Sequence, residues 1–330
     1  MVESKATAEE LQQRIENAMR RLKSGEDWQR WLKATATLHR YSFRNVILIM
    51  LQKPAATTVA GYRDWQKLDR QVVRGEAGIR ILAPIYVLQK DAVGEDGRTP
   101  EGERTSSTPK NQPRNRRVLV GFKVTSVFDI SQTVGEPLAR PPVPEAVIGS
   151  APSGLWDALA REVEADGFEL SVGPTGDPTV EGYTDHLNRQ IVIGDHLDGV
   201  TAVARLAHEV AHMRMHSPEE VAAAGSIMCR GAREVEAESV AYVLLTRHGM
   251  TMEGASFPYI AGWAASVDPK APDKVLQQTG QRVVEAAQDL IESTESDGTP
   301  VRPIRRVRRD PLGLAVEADG ASAEPVGPGL

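Results

Sequence analysis

The run His208-Glu209-Val210-Ala211-His212 lies in a stretch whose apolar positions, Val203, Leu206, Val210 and Met213, recur at three- and four-residue steps. That period predicts a helix with one buried face. At about 100° per residue the two histidines sit roughly 40° apart, one turn above the other, so both imidazoles can reach one metal ion. Glu209 stands beside them. A catalytic zinc ion needs a third protein ligand and an open position. His216, eight residues past His208, is about 12 Å further along the helix axis and too distant to share the ion. A carboxylate on a later helix fits better, and Arg233-Glu234-Val235-Glu236-Ala237-Glu238 opens one. Glu234 and Glu238 share a face, whereas Glu236 points about 200° away from Glu234. Glu234 is therefore expected as ligand and Glu238 as the acceptor that orients one histidine. The helix turns apolar all round after Glu238, so periodicity leaves Glu236 and Glu238 open as ligands.

The chemistry implied is water activation. Zinc lowers the pKa of bound water towards roughly 7 and polarises a carbonyl, and Glu209 takes the water proton and passes it to a leaving amine. That is peptide hydrolysis. The segment Gly182-Tyr183-Thr184 is expected along the cleft, able to pair with an extended substrate, and Tyr183, His186, His248 or Tyr259 to stabilise the oxyanion.

Charge divides the chain. Residues 1–125 carry 23 basic and 14 acidic side chains, net +9, and residues 151–300 carry 10 and 24, net −14. A basic half on an otherwise acidic protein suits a nucleic-acid surface, because phosphate contacts need Lys and Arg gathered on one face. That half interleaves aromatics with bases. Stacking plus backbone neutralisation fits single-stranded DNA, and the residues expected to make contacts are Arg40, Tyr41, Arg44, Asn45, Tyr62, Arg63 and Arg74. Arg114, Arg116 and Arg117 would add a salt-sensitive grip. Trp28, Trp31 and Phe43 are read as core.

Residues 6–51 are predicted helical, Gly78–Gln89 and Arg117–Ile130 as strands closed by a mobile loop over 91–116, and the proline-rich 136–153 as a linker. A helix at Leu155–Asp166, short strands at Phe168–Val172, Val180–Thr184 and Gln190–Ile193, and helices near 199–216, 231–248 and 274–293 follow. The end, 296–330, is read as a disordered tail. The longest aliphatic run, Val46–Leu51, is far short of the roughly 20 residues a membrane span needs. Met1–Lys5 has no export signal and Cys229 has no thiol partner, so a cytoplasmic, reducing setting is expected, without a membrane role.

The motifs Tyr41-Ser42-Phe43-Arg44-Asn45, Gln52-Lys53-Pro54-Ala55, Gly61-Tyr62-Arg63-Asp64-Trp65, Arg74-Gly75-Glu76, Ile81-Leu82-Ala83-Pro84 and Val127-Phe128-Asp129-Ile130-Ser131-Gln132-Thr133 resemble the N-terminal domain of the ArdC antirestriction family of mobile elements. The resemblance implies an N-terminal domain that binds single-stranded DNA and a C-terminal zinc metallopeptidase-like fold. His208 to about Trp263 also resembles the ImmA/IrrE metallopeptidases, in which a glutamate followed four residues later by Asn or an acid supplies the third ligand position, matching Glu234 and Glu238. The expected architecture is α+β in two domains: an ArdC-like single-stranded-DNA-binding domain over 1–135, and a zincin, gluzincin-like domain over 154–295. The function expected is antirestriction with a zinc-dependent peptidase acting on a protein substrate. The alternatives are a regulatory metalloprotease that cuts a repressor and a catalytically silent, zinc-stabilised DNA-binding scaffold.

Overall fold

The computed structural model describes residues 7–20, 24–89, 116–138, 154–177, 179–224, 230–250, 260–296, 305–309 and 315–317. The class is α+β. Three helices open the chain, α1 (Ala8–Met19), α2 (Gly25–Thr37) and α3 (Phe43–Gln52). The first begins with a reciprocal cap, in which the Thr7 hydroxyl accepts from the Glu10 N–H and the Glu10 carboxylate accepts from the Thr7 N–H. Then come β1 (Val59–Gly61), α4 (Tyr62–Lys67), β2 (Arg70–Val72), β3 (Ile79–Gln89), β4 (Arg116–Asp129) and β5 (Thr133–Gly135).

β3 and β4 form one long antiparallel ribbon from Ile79 opposite Val127 to Gln89 opposite Arg116, with an irregularity at Ile85/Tyr86. Its base is clasped by α3. The Asn45 amide donates to Leu82 O at 2.9 Å and accepts from Leu82 N at 3.0 Å, and Gln52, seven residues on, does the same to Arg80 at 2.8 and 2.9 Å. Two polar side chains on one helix face thus supply the bonds that a missing neighbouring strand would have made. The Asp129–Gln132 motif is also structural. Asp129 accepts from the N–H groups of Thr57, Thr58 and Ser131. Gln132 accepts from Asp129 N and donates to Glu76 and Ala77 O. Burial pushes the Asp129 carboxyl up, but these hydrogen bonds outweigh it and hold it below its ordinary range.

The second half contains α5 (Leu155–Ala165), β6 (Glu169–Gly173), β7 (Gly182–Asp185), β8 (Gln190–Gly194), α6 (Gly199–Met215), α7 (Pro218–Ala224), α8 (Arg230–Arg247), α9 (Ile260–Val267) and α10 (Pro272–Ser296). β6 pairs parallel with β8, and β7 is the antiparallel edge strand outside β8.

Both halves feed one continuous core. Trp28, Trp31 and Phe43 are buried in the same apolar cluster as Val240, Leu244 and Val283, and the Trp28 indole N–H donates to Ser239 Oγ at 2.9 Å. Gly280 on α10 lets α3 come this close, since a Cβ there would lie 2.2 Å from the Phe43 ring.

Within 296–330, residues 305–309 and 315–317 form strands β9 (Arg305–Arg309) and β10 (Ala315–Glu317), with β9 parallel to β6, and the rest of that segment past Ser296 lies outside the described residues. The backbone of β6 offers unpaired N–H and C=O groups on the side away from β8, and an extended segment of any composition can pair with them. The loop over 91–116 falls outside the described residues up to 115, as does 139–153 of the linker. Among the described residues no helix is long and apolar enough to cross a membrane.

Candidate metal centre and nucleic-acid cleft

α6 starts at Asp198, whose carboxylate accepts from Thr201 N at 2.8 Å. From that fixed start, ten to fourteen residues on, the helix carries His208, Glu209 and His212 into a cleft of 420 Å³ closed on the other side by α8 and β7. His208 Nε2 and His212 Nε2 face each other at 3.0 Å. Glu234 Oε2 on α8 lies 3.5 Å from the first and 3.7 Å from the second. Two donors held at roughly 2.0–2.1 Å by a tetrahedral ion lie about 3.3 Å apart. The triangle therefore fits a divalent metal, and a nitrogen–nitrogen–carboxylate donor set is chemically suited to one.

Glu238, one turn further along α8, sits behind His208, whose Nδ1–H donates to its carboxylate at 3.2 Å. Burial opposes protonation of His208, but the hydrogen bonds to Glu234 and Glu238 outweigh it and push the pKa up to about 9. The same two histidines hold Glu234 well below the usual carboxylate range. Glu236 turns the other way, away from the triangle, towards His216 and Arg282.

Glu209 is 4% exposed. The Thr184 hydroxyl on β7 lies 2.9 Å from its Oε2 and fixes the carboxylate at the cleft floor. Arg205 Nη1 is 4.0 Å from Glu209 Oε1 and is itself held by Glu181, with Nε at 3.1 Å. Of the residues expected to stabilise an oxyanion, Tyr183 and His186 line this cleft. The His186 ring meets Phe168 edge-on at 5.6 Å, and burial keeps its pKa below the ordinary value. His248 is elsewhere, at the far end of α8 with Nε2 3.0 Å from Thr294 Oγ1. It is four turns from the metal-facing end of its helix and cannot serve. Tyr259 and Cys229 lie outside the described residues. Arg205 and Arg233 also line the cleft, and neither was anticipated, because an arginine on an amphipathic helix carries no local signal that separates a cleft from solvent.

A second cleft, of 1160 Å³, lies between the start of α3, the ribbon and α10. Arg40, Tyr41, Arg44 and Asn45 all border it, but their freedom differs. Arg40 is exposed, and Arg44 donates to the Gln277 side-chain oxygen at 2.7 and 3.0 Å. Tyr41 donates its hydroxyl to Val59 O at 2.8 Å, and burial pushes its phenol up to about 12. Asn45 is corrected from a contact residue to a structural one, since both ends of its buried amide are used by Leu82. Tyr62, Arg63 and Arg74 are exposed but do not border this cleft. Arg114 and the side chains of Arg116 and Arg117 lie outside the described residues.

The ribbon adds two aromatics that sequence reading missed, Tyr86 at 56% exposure and Phe122 at 43%, both bordering the cleft. A signal existed. Ile85-Tyr86-Val87 and Leu119-Val120 are apolar at successive positions, so in a two-stranded ribbon some of them must face outward.

Residues 5–128 match the family model described as the N-terminal domain of anti-restriction factor ArdC. An uncharacterized protein of Bacillus anthracis is 23% identical over 321 residues, covering 87% of this chain and 51% of its own length, so the chain spans about half of that relative. Among solved structures, the Mn(II)-bound antirestriction protein ArdC of plasmid R388 is 17% identical with a TM-score of 0.50, covering 86% of this chain and 99% of that one. The metal-free form of the same protein has a TM-score of 0.47 over 78% and 86%. The α+β fold described above is thus similar to that of ArdC.

Proposed function

From a segment that matches the N-terminal domain of ArdC, joined to a His-His-Glu triangle, we propose an antirestriction protein of the ArdC type. It holds single-stranded DNA in the cleft between α3, the ribbon and α10, and carries a zinc-dependent peptidase centre. The observation that carries the second part is the 3.0 to 3.7 Å triangle of His208, His212 and Glu234 with buried Glu209 beside it. Two imidazoles and one carboxylate suit zinc, and the Mn(II) form of the R388 relative supports a divalent ion at a related fold. Zinc bound there supplies an acidified water and an electrophile for the scissile carbonyl. The chain does the rest. Glu209, fixed by Thr184, accepts the proton of the attacking water and returns it to the leaving amine. β7 is an edge strand bordering the cleft, so its free edge can hydrogen-bond an extended substrate, and Tyr183 or His186 can donate to the oxyanion.

Metal analysis of the purified chain tests the centre. One zinc per chain is expected, lost in Glu234→Ala while DNA binding persists. A metal-free wild type, or full occupancy in Glu234→Ala, overturns the assignment.

For the DNA cleft, Arg40 and Arg44 supply the positive charge and Tyr86 and Phe122 the stacking faces. Each phosphate contact removed should flatten the dependence of log affinity on log salt by about 0.7 for a single strand. Arg40→Ala with Arg44→Ala is therefore expected to flatten it by about 1.4, measured by oligonucleotide anisotropy across a salt series. An unchanged slope, or equal affinity for duplex, would count against the cleft. A cytoplasmic protein of a mobile element that protects incoming DNA is the setting this reading implies.

A further inference from the structure

His216 is not a ligand, yet it is not idle. It caps the C-terminal end of α6 at 3% exposure, and both ring nitrogens have partners. Nδ1 lies 2.9 Å from His212 Nδ1, and Nε2 lies 3.1 Å from Glu236 Oε2. Glu236, 2% exposed, accepts at its other oxygen from Arg282 Nε at 3.0 Å. Arg282 in turn donates from Nη2 to Met215 O at 3.1 Å, which pins this end of the chain to the last turn of α6.

We propose that His216 and Glu236 are positioning residues for His212, a buried relay anchored by Arg282 that fixes the tautomer and ring plane of this metal ligand. The proposal rests on the metal reading above and deepens it. Hydrogen-bond polarity decides the arrangement. If His212 offers the Nε2 lone pair to a metal, its proton is on Nδ1, and that N–H must find an acceptor. His216 Nδ1 provides one, so the His216 proton is on Nε2, where the Glu236 carboxylate accepts it. Every donor then meets an acceptor, in one direction, with Arg282 supplying the countercharge that a carboxylate buried this deeply requires. The same tautomers are compatible with the metal-free contact, in which His212 Nε2 lies 3.0 Å from His208 Nε2 and can accept from a proton there.

The two ligating histidines are supported differently. His208 leans directly on a partly exposed carboxylate, Glu238, with a side chain 32% exposed, whereas His212 reaches its carboxylate through an intervening imidazole, with Glu236 only 3% exposed. The His216 ring thus stands between His212 Nδ1 and the Glu236 carboxylate on α8.

Loss of such an outer partner typically weakens a metal site 10- to 100-fold. For the full chain, competition with a chromogenic chelator for Zn²⁺ should show a loss of that size in His216→Leu, which removes both the acceptor and the donor. His216→Gln should recover most of it, since its amide oxygen can accept from His212 Nδ1–H and its NH2 can donate to Glu236. Long-range proton–nitrogen spectra of the wild-type chain should show His216 neutral and protonated at Nε2 only, with His212 protonated at Nδ1. A folded His216→Leu that binds Zn²⁺ as the wild type does overturns the relay. So does a His216 protonated at Nδ1, a result that needs no variant to fold. Correct tautomers in a wild-type chain that binds no Zn²⁺ would leave the relay standing and sink the metal reading instead.

Discussion

Glu209→Gln is expected to keep its metal and lose hydrolysis by a factor on the order of 10² to 10⁴, the usual contribution of a positioned general base. The structure explains why the two effects separate. Glu209 is not one of the three converging donors, and its carboxylate is held by the Thr184 hydroxyl at 2.9 Å. A glutamine of the same length still accepts that hydrogen bond, so the fold and the triangle should survive. What disappears is the basic oxygen lone pair that receives a proton from water. The measurement is paired: zinc content by elemental analysis, and cleavage of a fluorogenic peptide library or of candidate repressor proteins. Cleavage by the wild type with none in the variant, at equal zinc, supports a protease. Equal cleavage removes Glu209 from the mechanism. Unaltered DNA protection in the variant, with no cleavage by either chain, would favour the silent scaffold.

Zinc affinity should rise about a hundredfold between pH 7 and pH 9. His208 must give up a proton to become a ligand, and Glu234 and Glu238 hold that proton against the effect of burial, up to a pKa of about 9. Below that value the metal displaces a proton, so the apparent affinity should grow roughly tenfold per pH unit and level off above 9. Glu238→Gln removes one of the two carboxylates that raise the value, so the plateau should begin at lower pH. Competition titrations at several pH values measure the slope directly, and an affinity flat across this range would show that His208 is already neutral.

The metal-free chain should move the other way. His208 is raised above its unfolded value of 6.5, so its contribution to stability is complete below that pH and is lost as pH climbs through 9. Glu234 is depressed below 4.5, so its contribution is present above that value and is lost on acidification. The metal-free protein should therefore be held best by this pair between about pH 4.5 and 6.5, read from thermal melts at each pH.

Parts of this site are local in origin and were legible as such. Two histidines four residues apart on an amphipathic stretch share a helix face whatever the rest of the chain does, and Glu234 and Glu238 share a face for the same reason. The 3.6-residue period sets this, and it needs no tertiary information. The long helices, the ribbon over 79–129 and the burial of Trp28, Trp31 and Phe43 follow from similarly local patterns.

Other features depend on what each residue meets, and no local pattern carries that. Asn45 looked like a base-contacting residue beside Arg44, yet the approach of β3 to α3 puts its amide on the Leu82 backbone. Helix spacing puts His216 about two turns beyond His208, but only the crossing of α6, α8 and α10 places it between His212 and Glu236. Tyr86 and Phe122 are candidate stacking faces because the ribbon borders the same cleft as Arg40 and Arg44.

The continuous core across both halves of the chain belongs to the same class. Trp28 and Ser239 are 211 residues apart, and their 2.9 Å hydrogen bond exists because α2 packs against α8. The sequence by itself determined which residues share a helix face and which segments extend, since backbone periodicity is a property of neighbours in the chain. The tertiary structure alone decided which faces meet, and with that which carboxylate joins His208 and His212, the hydrogen bonds behind His212 and the walls of the cleft bordered by Arg40, Arg44, Tyr86 and Phe122, because those are set by packing between elements far apart in sequence.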